Sequence, residues 1–189
     1  MKNNVSLTQQ NLLKAFAGES MARNKYTQFA KIARKDDMEF IARIFEETAD
    51  NERAHASELF EQIEGDVAAP QILEVSSFKK TLDNLKMAAA GEKYEWTTMY
   101  PNFEKIAREE KAMQSVRLFG QLKEVEEKHE ERYLIIARKL DDDTLYNADA
   151  VLEWKCLNCG YIHKGKTPPK TCPVCLKPFT WYMPLGLVR

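Results

Sequence analysis

Long apolar runs are missing from this 189-residue chain. The longest, Met87-Ala88-Ala89-Ala90 and Leu134-Ile135-Ile136-Ala137, fall far short of the roughly 20 residues that span a bilayer. No apolar segment follows Lys2 as a secretory signal requires, so the expected location is the cytoplasm, with no membrane association. A charge excess is also missing. Lysine and arginine number 28 against 29 aspartates and glutamates, a net charge of −1, which argues against nucleic acid as a partner. Glycine is scarce, and no two of the seven lie close enough to form a phosphate or dinucleotide loop. Reducing power from NADH must therefore be handled by another protein. What is present, 44% hydrophobic and 30% charged residues, is an ordinary globular composition.

Proline and cysteine are unevenly spread. Residues 6–140 hold only Pro70 and Pro101 and no cysteine, whereas 153–189 hold the other five prolines and all four cysteines. The run Asp141-Asp142-Asp143-Thr144-Leu145-Tyr146-Asn147 reads as a helix stop followed by a linker, which divides the chain into 1–140, a linker at 141–152, and 153–189. In the first region apolar residues recur at helical spacing, predicting four long helices at about 6–34, 37–64, 77–108 and 111–140. Short breaks at Lys35-Asp36-Asp37 and Glu109-Glu110 pair the first helix with the second and the third with the fourth. The stretch from Gly65 to Ser76 reaches roughly 40 Å when extended, the length of a 27-residue helix. It suits the lengthwise crossover of a ferritin-like four-helix bundle, an all-α fold.

The helical region repeats itself. Ala17-Gly18-Glu19 recurs as Ala90-Gly91-Glu92, a shift of 73; from Tyr26, which matches Tyr100, the shift is 74. Phe29-Ala30-Lys31-Ile32-Ala33-Arg34 then matches Phe103-Glu104-Lys105-Ile106-Ala107-Arg108, while Glu52 matches Glu126 and His55 matches His129. Two hairpins related by a pseudo-two-fold axis produce such a pattern. The slip places one extra residue between Glu92 and Tyr100. A helix absorbs a single insertion as a π-bulge, and such bulges concentrate at functional sites; a kink at Pro101 is the competing explanation. Glu95 lies inside this window, and the first half offers only Ala22 in its place.

Carboxylates stand where a core is expected. The apolar stripe Ile41, Ile44, Phe45, Thr48 continues into Glu52 and His55 and then Leu59; Phe119 and Leu122 continue into Glu126 and His129, then Tyr133 and Ile136. Steps of three and four keep these residues on one helix face. Glu19 lines up with Leu12, Phe16 and Tyr26, and Glu92 and Glu95 lie among Leu85, Ala88, Trp96 and Met99. An unpaired buried ion costs several kcal/mol, and the arginines fall mostly on other faces. Two divalent metals nearly neutralise five inward carboxylates. One Glu from each of two helices plus Glu-x-x-His from the other two is the di-iron carboxylate arrangement of helical bundles. A single Glu-x-x-His is weak; two at matching positions of a repeat are strong. His163, the remaining histidine, follows no such pattern and is expected at the surface.

Cys156-x-x-Cys159 and Cys172-x-x-Cys175 form matched hooks with twelve residues between them. Using all four cysteines points to a tetrahedral metal–thiolate site, of iron or of zinc, rather than to disulfides in a reducing compartment. Gly160 after the first hook leaves the backbone free to aim N–H groups at sulfur and tune a redox metal. Trp154, Tyr161, Phe179 and Trp181 are candidates for the small domain's packing. So small a module needs its metal to fold.

Taken in order, Glu19, Glu52-x-x-His55, Glu92-x-x-Glu95, Glu126-x-x-His129 and the two cysteine hooks resemble the rubrerythrin family over essentially the whole chain. The resemblance implies a ferritin-like di-iron domain followed by a rubredoxin-like domain with one iron on four thiolates, whose short gap between hooks is similar to that of the family's own domain. It implies that Glu52 and Glu126 bridge the two irons, that Glu19 holds one and Glu92 with His129 the other, and that Glu95 and His55 exchange as ligands to the first. The activity implied is reduction of hydrogen peroxide to water, protecting anaerobic or microaerobic cells. The diferrous pair supplies the electrons, and Tyr26 and Tyr100 help the glutamates place protons. The thiolate-bound iron returns electrons from an external NAD(P)H-dependent reductase or a rubredoxin, and two chains pair head to tail as a homodimer. Two rivals remain at this level: an iron-handling protein of ferritin type, and a zinc-ribbon binding module on a structural bundle.

Overall fold

The computed structural model describes residues 5–70 and 80–186. The helical part comprises α1 (Leu7–Lys35), α2 (Glu39–Glu61), α3 (Thr81–Tyr94), a π-helical segment (Glu95–Met99), α4 (Tyr100–Glu109) and α5 (Met113–Asp141). The third predicted helix is thus one continuous rod, α3–π–α4, and the four rods form a four-helix bundle. No described helix is long and apolar enough to cross a membrane.

The hairpin turns show why two helices begin later than periodicity suggests. Asp37 (φ 56°) and Lys111 (φ 61°) both take the left-handed conformation, ending one helix with a reversal that the next cannot include. The two lie 74 apart, and their hydrogen bonds repeat at the same interval: Met38 N–H to Ala33 and Ala112 N–H to Ala107, both at 2.8 Å. The second helix also stops at Glu61, three residues short of expectation.

Each turn caps the other hairpin. The Asp36 carboxylate accepts from the Thr81 N–H and hydroxyl at 3.2 and 2.6 Å. Glu110 accepts from the Leu7 and Thr8 N–H groups at 3.0 and 2.8 Å. A carboxylate at a helix N-terminus satisfies orphan donors and complements the helix dipole. Because Asp36 and Glu110 are also 74 apart, the pseudo-two-fold axis is visible in hydrogen bonds as well as in residue identity. Gln62 at the end of α2 accepts from Gln9 near the start of α1, whereas α3 starts beside Asp36. The connection between them therefore joins opposite ends of the bundle; its residues 71–79, including the expected first turn of the third helix at 77, lie outside the described residues.

The core is split in two. One apolar cluster contains Tyr26, Phe29, Phe45, Leu85, Tyr133 and Ile136, the other Leu12, Leu59, Tyr100, Phe119 and Leu122. On every rod the inward carboxylates lie between them, so an acidic layer crosses the middle of the bundle.

After α5, Leu145 is buried against the first cluster, and Tyr146 reaches the small domain, stacking edge-on to Phe179 and donating to the Thr180 carbonyl. Within the 141–152 segment, Leu145 and Tyr146 therefore pack on either side. The small domain is a three-stranded antiparallel sheet, in the order β2 (Ile162–Gly165), β1 (Leu152–Cys156), β3 (Tyr182–Pro184). Its core is Trp154, Cys156, Cys172 and Tyr182. Of the aromatics expected there, Trp154 is buried and Tyr161 packs on it, but Phe179 is 41% exposed and Trp181 half-buried. Tyr182, next along the chain, fills the core instead, because the strand turns alternate residues inward. Leu157 and Met183 rest on the bundle's first cluster, and Arg43 of α2 lies over the Trp181 ring.

Candidate metal centres

Glu19, Glu52, Glu92 and Glu126 are essentially sealed from solvent, and His129 is buried with them. The two Glu-x-x-His pairs face each other across the layer. Glu52 presents Oε2 to His55 Nδ1 at 2.8 Å and Oε1 to His129 Nδ1 at 3.3 Å. Glu126 does the reverse, with Oε1 at 3.1 Å from His55 and Oε2 at 2.7 Å from His129. Yet none of these four oxygens, and neither imidazole nitrogen, completes a directional hydrogen bond. Atoms that crowd together without bonding one another are converging on shared points between them, as ligands do.

Two such points are defined. Among the described residues, Glu19, Glu52, His55 and Glu126 bring one ligand atom each within 4.8 Å of one another, and so do Glu52, Glu92, Glu126 and His129. The groups share Glu52 and Glu126, whose two oxygens are divided between the histidines. Glu19 and Glu92 each belong to one group, and a tyrosine from the opposite hairpin occupies one oxygen of each. The Tyr100 hydroxyl donates to Glu19 Oε1 and the Tyr26 hydroxyl to Glu92 Oε1. Glu19 Oε2 is left buried and unpartnered. The donors are hard oxygens with two imidazoles, a set suited to iron, and the orphaned buried oxygens fit two cations.

The electrostatics state the same need. Burial raises the pKa of Glu19 well above the usual carboxylate range, with Glu95, Glu126 and Glu52 adding to it. Burial, then Glu52 and Glu126, lifts Glu92 to about 8. Burial opposes charging of the histidines, but the facing Glu126 and Glu52 outweigh it and raise His55 to about 9 and His129 to about 10. Protons thus stand in for cations.

Glu95 belongs to neither group. It opens the π segment, where Tyr100 N–H bonds back to the Glu95 carbonyl across five residues, so the slip is a π-helix and not merely a kink at Pro101. Its Oε2 is sealed and unpartnered, and burial, then Glu92, Glu126 and Glu52, raise its pKa. His55 stands in the first group beside Glu19 while Glu95 waits outside it. The next residue, Trp96, donates from its indole to Glu130 at 2.5 Å, tying the π segment to α5 beside His129. Sequence periodicity placed Trp96 inward but did not reveal this bond, which needs both rods in place.

In the small domain the four cysteine sulfurs also lie within 4.8 Å of one another. Cys156 and Cys175, and Cys159 and Cys172, are 3.6 Å apart. That is no disulfide, and it is close to the roughly 3.8 Å edge of a tetrahedron with 2.3 Å metal–sulfur bonds. Tyr161 N–H faces Cys159, and Lys177 N–H and the Asn158 side chain face Cys175. Gly160 takes φ +78° after the first hook and Leu176 φ +60° after the second, each turning the chain so that such donors reach sulfur. Burial disfavours the Cys172 thiolate, but the facing Tyr182 hydroxyl and the N–H groups of Cys175 and Val174 bring its pKa down to about 6. His163 pairs with Trp154 in the sheet, half-buried, and joins no ligand group.

Comparison with known proteins agrees with this geometry. The rubrerythrin family model matches residues 10–137, and that of the rubrerythrin rubredoxin-like domain matches residues 154–178. The chain is 42% identical to a rubrerythrin of Nitratidesulfovibrio vulgaris over 96% of both chains. It is 43% identical to rubrerythrin-1 of Clostridium acetobutylicum over 93% of this chain and 92% of that one. A structure of nigerythrin in its fully reduced, all-ferrous state superposes with a TM-score of 0.65 at 36% identity, covering 97% of this chain and 89% of that chain. With its ferritin-like bundle, its carboxylate–histidine di-iron ligand groups and its four-cysteine domain, this chain belongs to the rubrerythrin family of oxidoreductases.

Proposed function

We propose that this protein reduces hydrogen peroxide to water at a di-iron centre held by Glu19, Glu52, His55, Glu92, Glu126 and His129, with Glu95 as the exchanging ligand. The observation that carries the reading is the pair of overlapping ligand groups sharing Glu52 and Glu126, with Glu95 poised on a π segment beside them. Bound as a ferrous pair, the metals supply two electrons, the number that one O–O bond requires.

The remaining demands fall on the chain. Reduction of peroxide consumes two protons and yields two waters. Burial and the neighbouring glutamates keep Tyr26 and Tyr100 protonated, so their hydroxyls hold a proton on Glu92 and Glu19 at either end of the site. Each tyrosine also occupies one oxygen of its glutamate, whereas Glu52 and Glu126, which belong to both ligand groups, keep both oxygens without a hydrogen-bond partner. The apolar clusters on both sides exclude bulk water from the acidic layer. Cys156, Cys159, Cys172 and Cys175 would hold a further iron, whose chemistry there would be one-electron transfer from an external NAD(P)H-dependent reductase or a rubredoxin. Two chains paired head to tail would let one subunit's thiolate-bound iron serve its partner's di-iron site.

Stopped-flow mixing of the diferrous protein with peroxide and with O2 tests the reading. Faster oxidation by peroxide is expected; faster oxidation by O2 favours the ferritin-type alternative. A colourless, zinc-containing small domain would remove the proposed electron route, since ferric thiolate is red.

A further inference from the structure

The third rod carries one residue more than the first between equivalent points. Six residues separate Glu19 from Tyr26, and seven separate Glu92 from Tyr100. Both ends of the longer span are pinned to the first rod, Glu92 by the Tyr26 hydroxyl and Tyr100 by its own bond to Glu19. The pins fix how many residues lie between them, but not where the extra one is taken up. That placement decides where Glu95 points. A residue ahead of the bulge keeps the frame of Glu92, a residue behind it the frame of Tyr100, and one residue of slip is a turn of about 100°. Here the Glu95 N–H still bonds back to the Gly91 carbonyl, so Glu95 shares the inward face of Glu92 and the π segment begins with it.

A contact with another rod stands directly beside the bulge. Trp96, the residue after Glu95, donates from its indole to the Glu130 carboxylate of α5 at 2.5 Å, and both side chains are half-buried. A bond to a charged acceptor is among the stronger kinds, and Glu130 follows His129, a member of a ligand group. By contrast, the Thr97 hydroxyl bonds to the Lys93 carbonyl and to the Thr98 hydroxyl; these bonds stay within the rod and give it no outside reference. The internal repeat supplies an independent sign. At a shift of 73 Trp96 falls on Arg23, and at 74 Glu130 falls on Ala56, which has no acceptor to offer. In the first hairpin these two residues line an open groove. The bond thus belongs to the half that carries the extra residue.

We propose that Trp96 is a positioning residue: its bond to Glu130 sets where the third rod takes up its extra residue, and so keeps Glu95 on the face of the ligand groups. Without that bond, a bulge nearer Glu92 satisfies both pins equally well. Glu95 then passes into the frame of Tyr100 and turns away from the site by about 100°. Backbone bonding does not choose between such placements, since a π-bulge interrupts the same ladder wherever it lies; a side chain anchored on a neighbouring rod does. The consequence for peroxide chemistry rests on the exchanging role proposed for Glu95, whereas the placement of the bulge is independent of it.

The experiment is amide hydrogen exchange of the full-length, metal-loaded protein, read by mass spectrometry on peptides covering 93–100 and, as an internal reference, 19–26. The variants are Trp96→Phe, Glu130→Leu, the two combined, and Glu130→Gln. Loss of one hydrogen bond to a charged group should speed exchange at 93–100 about ten-fold in either of the first two, with 19–26 at the parent rate. The combined variant should exchange no faster than either single one, because both substitutions remove the same bond. Glu130→Gln keeps a carbonyl acceptor and should restore the parent rate. Unchanged exchange at 93–100 overturns the proposal, as does an equal rise at 19–26, an additive effect in the combined variant, or a Glu130→Gln that behaves like Glu130→Leu. Should Trp96→Phe fail to fold, the two Glu130 variants carry the comparison. Peroxide turnover of the same proteins is read separately: faster exchange with undiminished turnover upholds the placement of the bulge and counts against Glu95 as the exchanging ligand.

Discussion

Removing one hydroxyl at a time should separate the two metal positions. Tyr26 touches Glu92, which belongs only to the group with His129, and Tyr100 touches Glu19, which belongs only to the group with His55. Phenylalanine preserves the packing of both rings, Tyr26 against Phe45 and Tyr133 and Tyr100 against Phe119. What is lost is one hydrogen bond to a charged ligand, worth about 1.5–3 kcal/mol. At about 1.4 kcal/mol per factor of ten, that corresponds to a loss of roughly 10- to 100-fold in affinity, the range seen when an outer partner of a metal ligand is removed. Protein stripped of metal, titrated with Co(II) against a fluorescent chelator, yields two stepwise constants. Tyr26→Phe and Tyr100→Phe should each weaken one ion by that factor, and the double variant should weaken both. If either single variant binds both ions as the parent does, or the double variant is no weaker than a single one, the hydroxyls do not support the ligands as described.

Two other perturbations address the site from different sides. Glu95→Ala should retain two metals, because Glu95 lies outside both ligand groups, while peroxide turnover falls by about ten-fold or more; undiminished turnover would show that Glu95 plays no part in the reaction. In protein stripped of metal, folded-state pKa values of about 9 and about 10 for His55 and His129, and about 8 for Glu92, lie above the ordinary values. Such groups contribute stability below their unfolded pKa and lose it as pH rises through the folded one. Stability should therefore decline between about pH 6.5 and 10 for the histidines, and from about 4.5 to 8 for Glu92. Glu52, where the facing histidines overcome burial and hold the pKa at about 2, acts oppositely, so its contribution is lost only as pH falls through 4.5 toward 2. Denaturant midpoints at pH 6, 8 and 10 should fall in stripped protein and hold in metal-loaded protein, where cations replace the protons; parallel curves would refute this.

Much of the site was legible because its signal is local. Helical spacing alone puts Glu52 and His55, or Glu126 and His129, on one face with their apolar neighbours, and the 73- and 74-residue shifts match the two halves without coordinates. The change of shift even marked the π segment, since an inserted residue in a helix has few ways to be absorbed. Helix starts were less legible. Of the left-handed residues that delay them, Asp37 and Lys111, aspartate favours that conformation only weakly and lysine not at all.

Composition, periodicity and internal repetition determined the four rods, the acidic layer and the candidate ligand residues, since each depends on neighbours three to four positions apart or on comparing the chain with itself. Only the tertiary structure decided which tyrosine meets which glutamate, 66 and 81 residues away. It also decided that each turn carboxylate caps the other hairpin, that His55 stands within the first ligand group while Glu95 stands outside it, and that Tyr182 shares a core with Cys156 and Cys172. Those outcomes depend on distances between distant segments, and a linear pattern of residues does not carry such distances until the rods have packed.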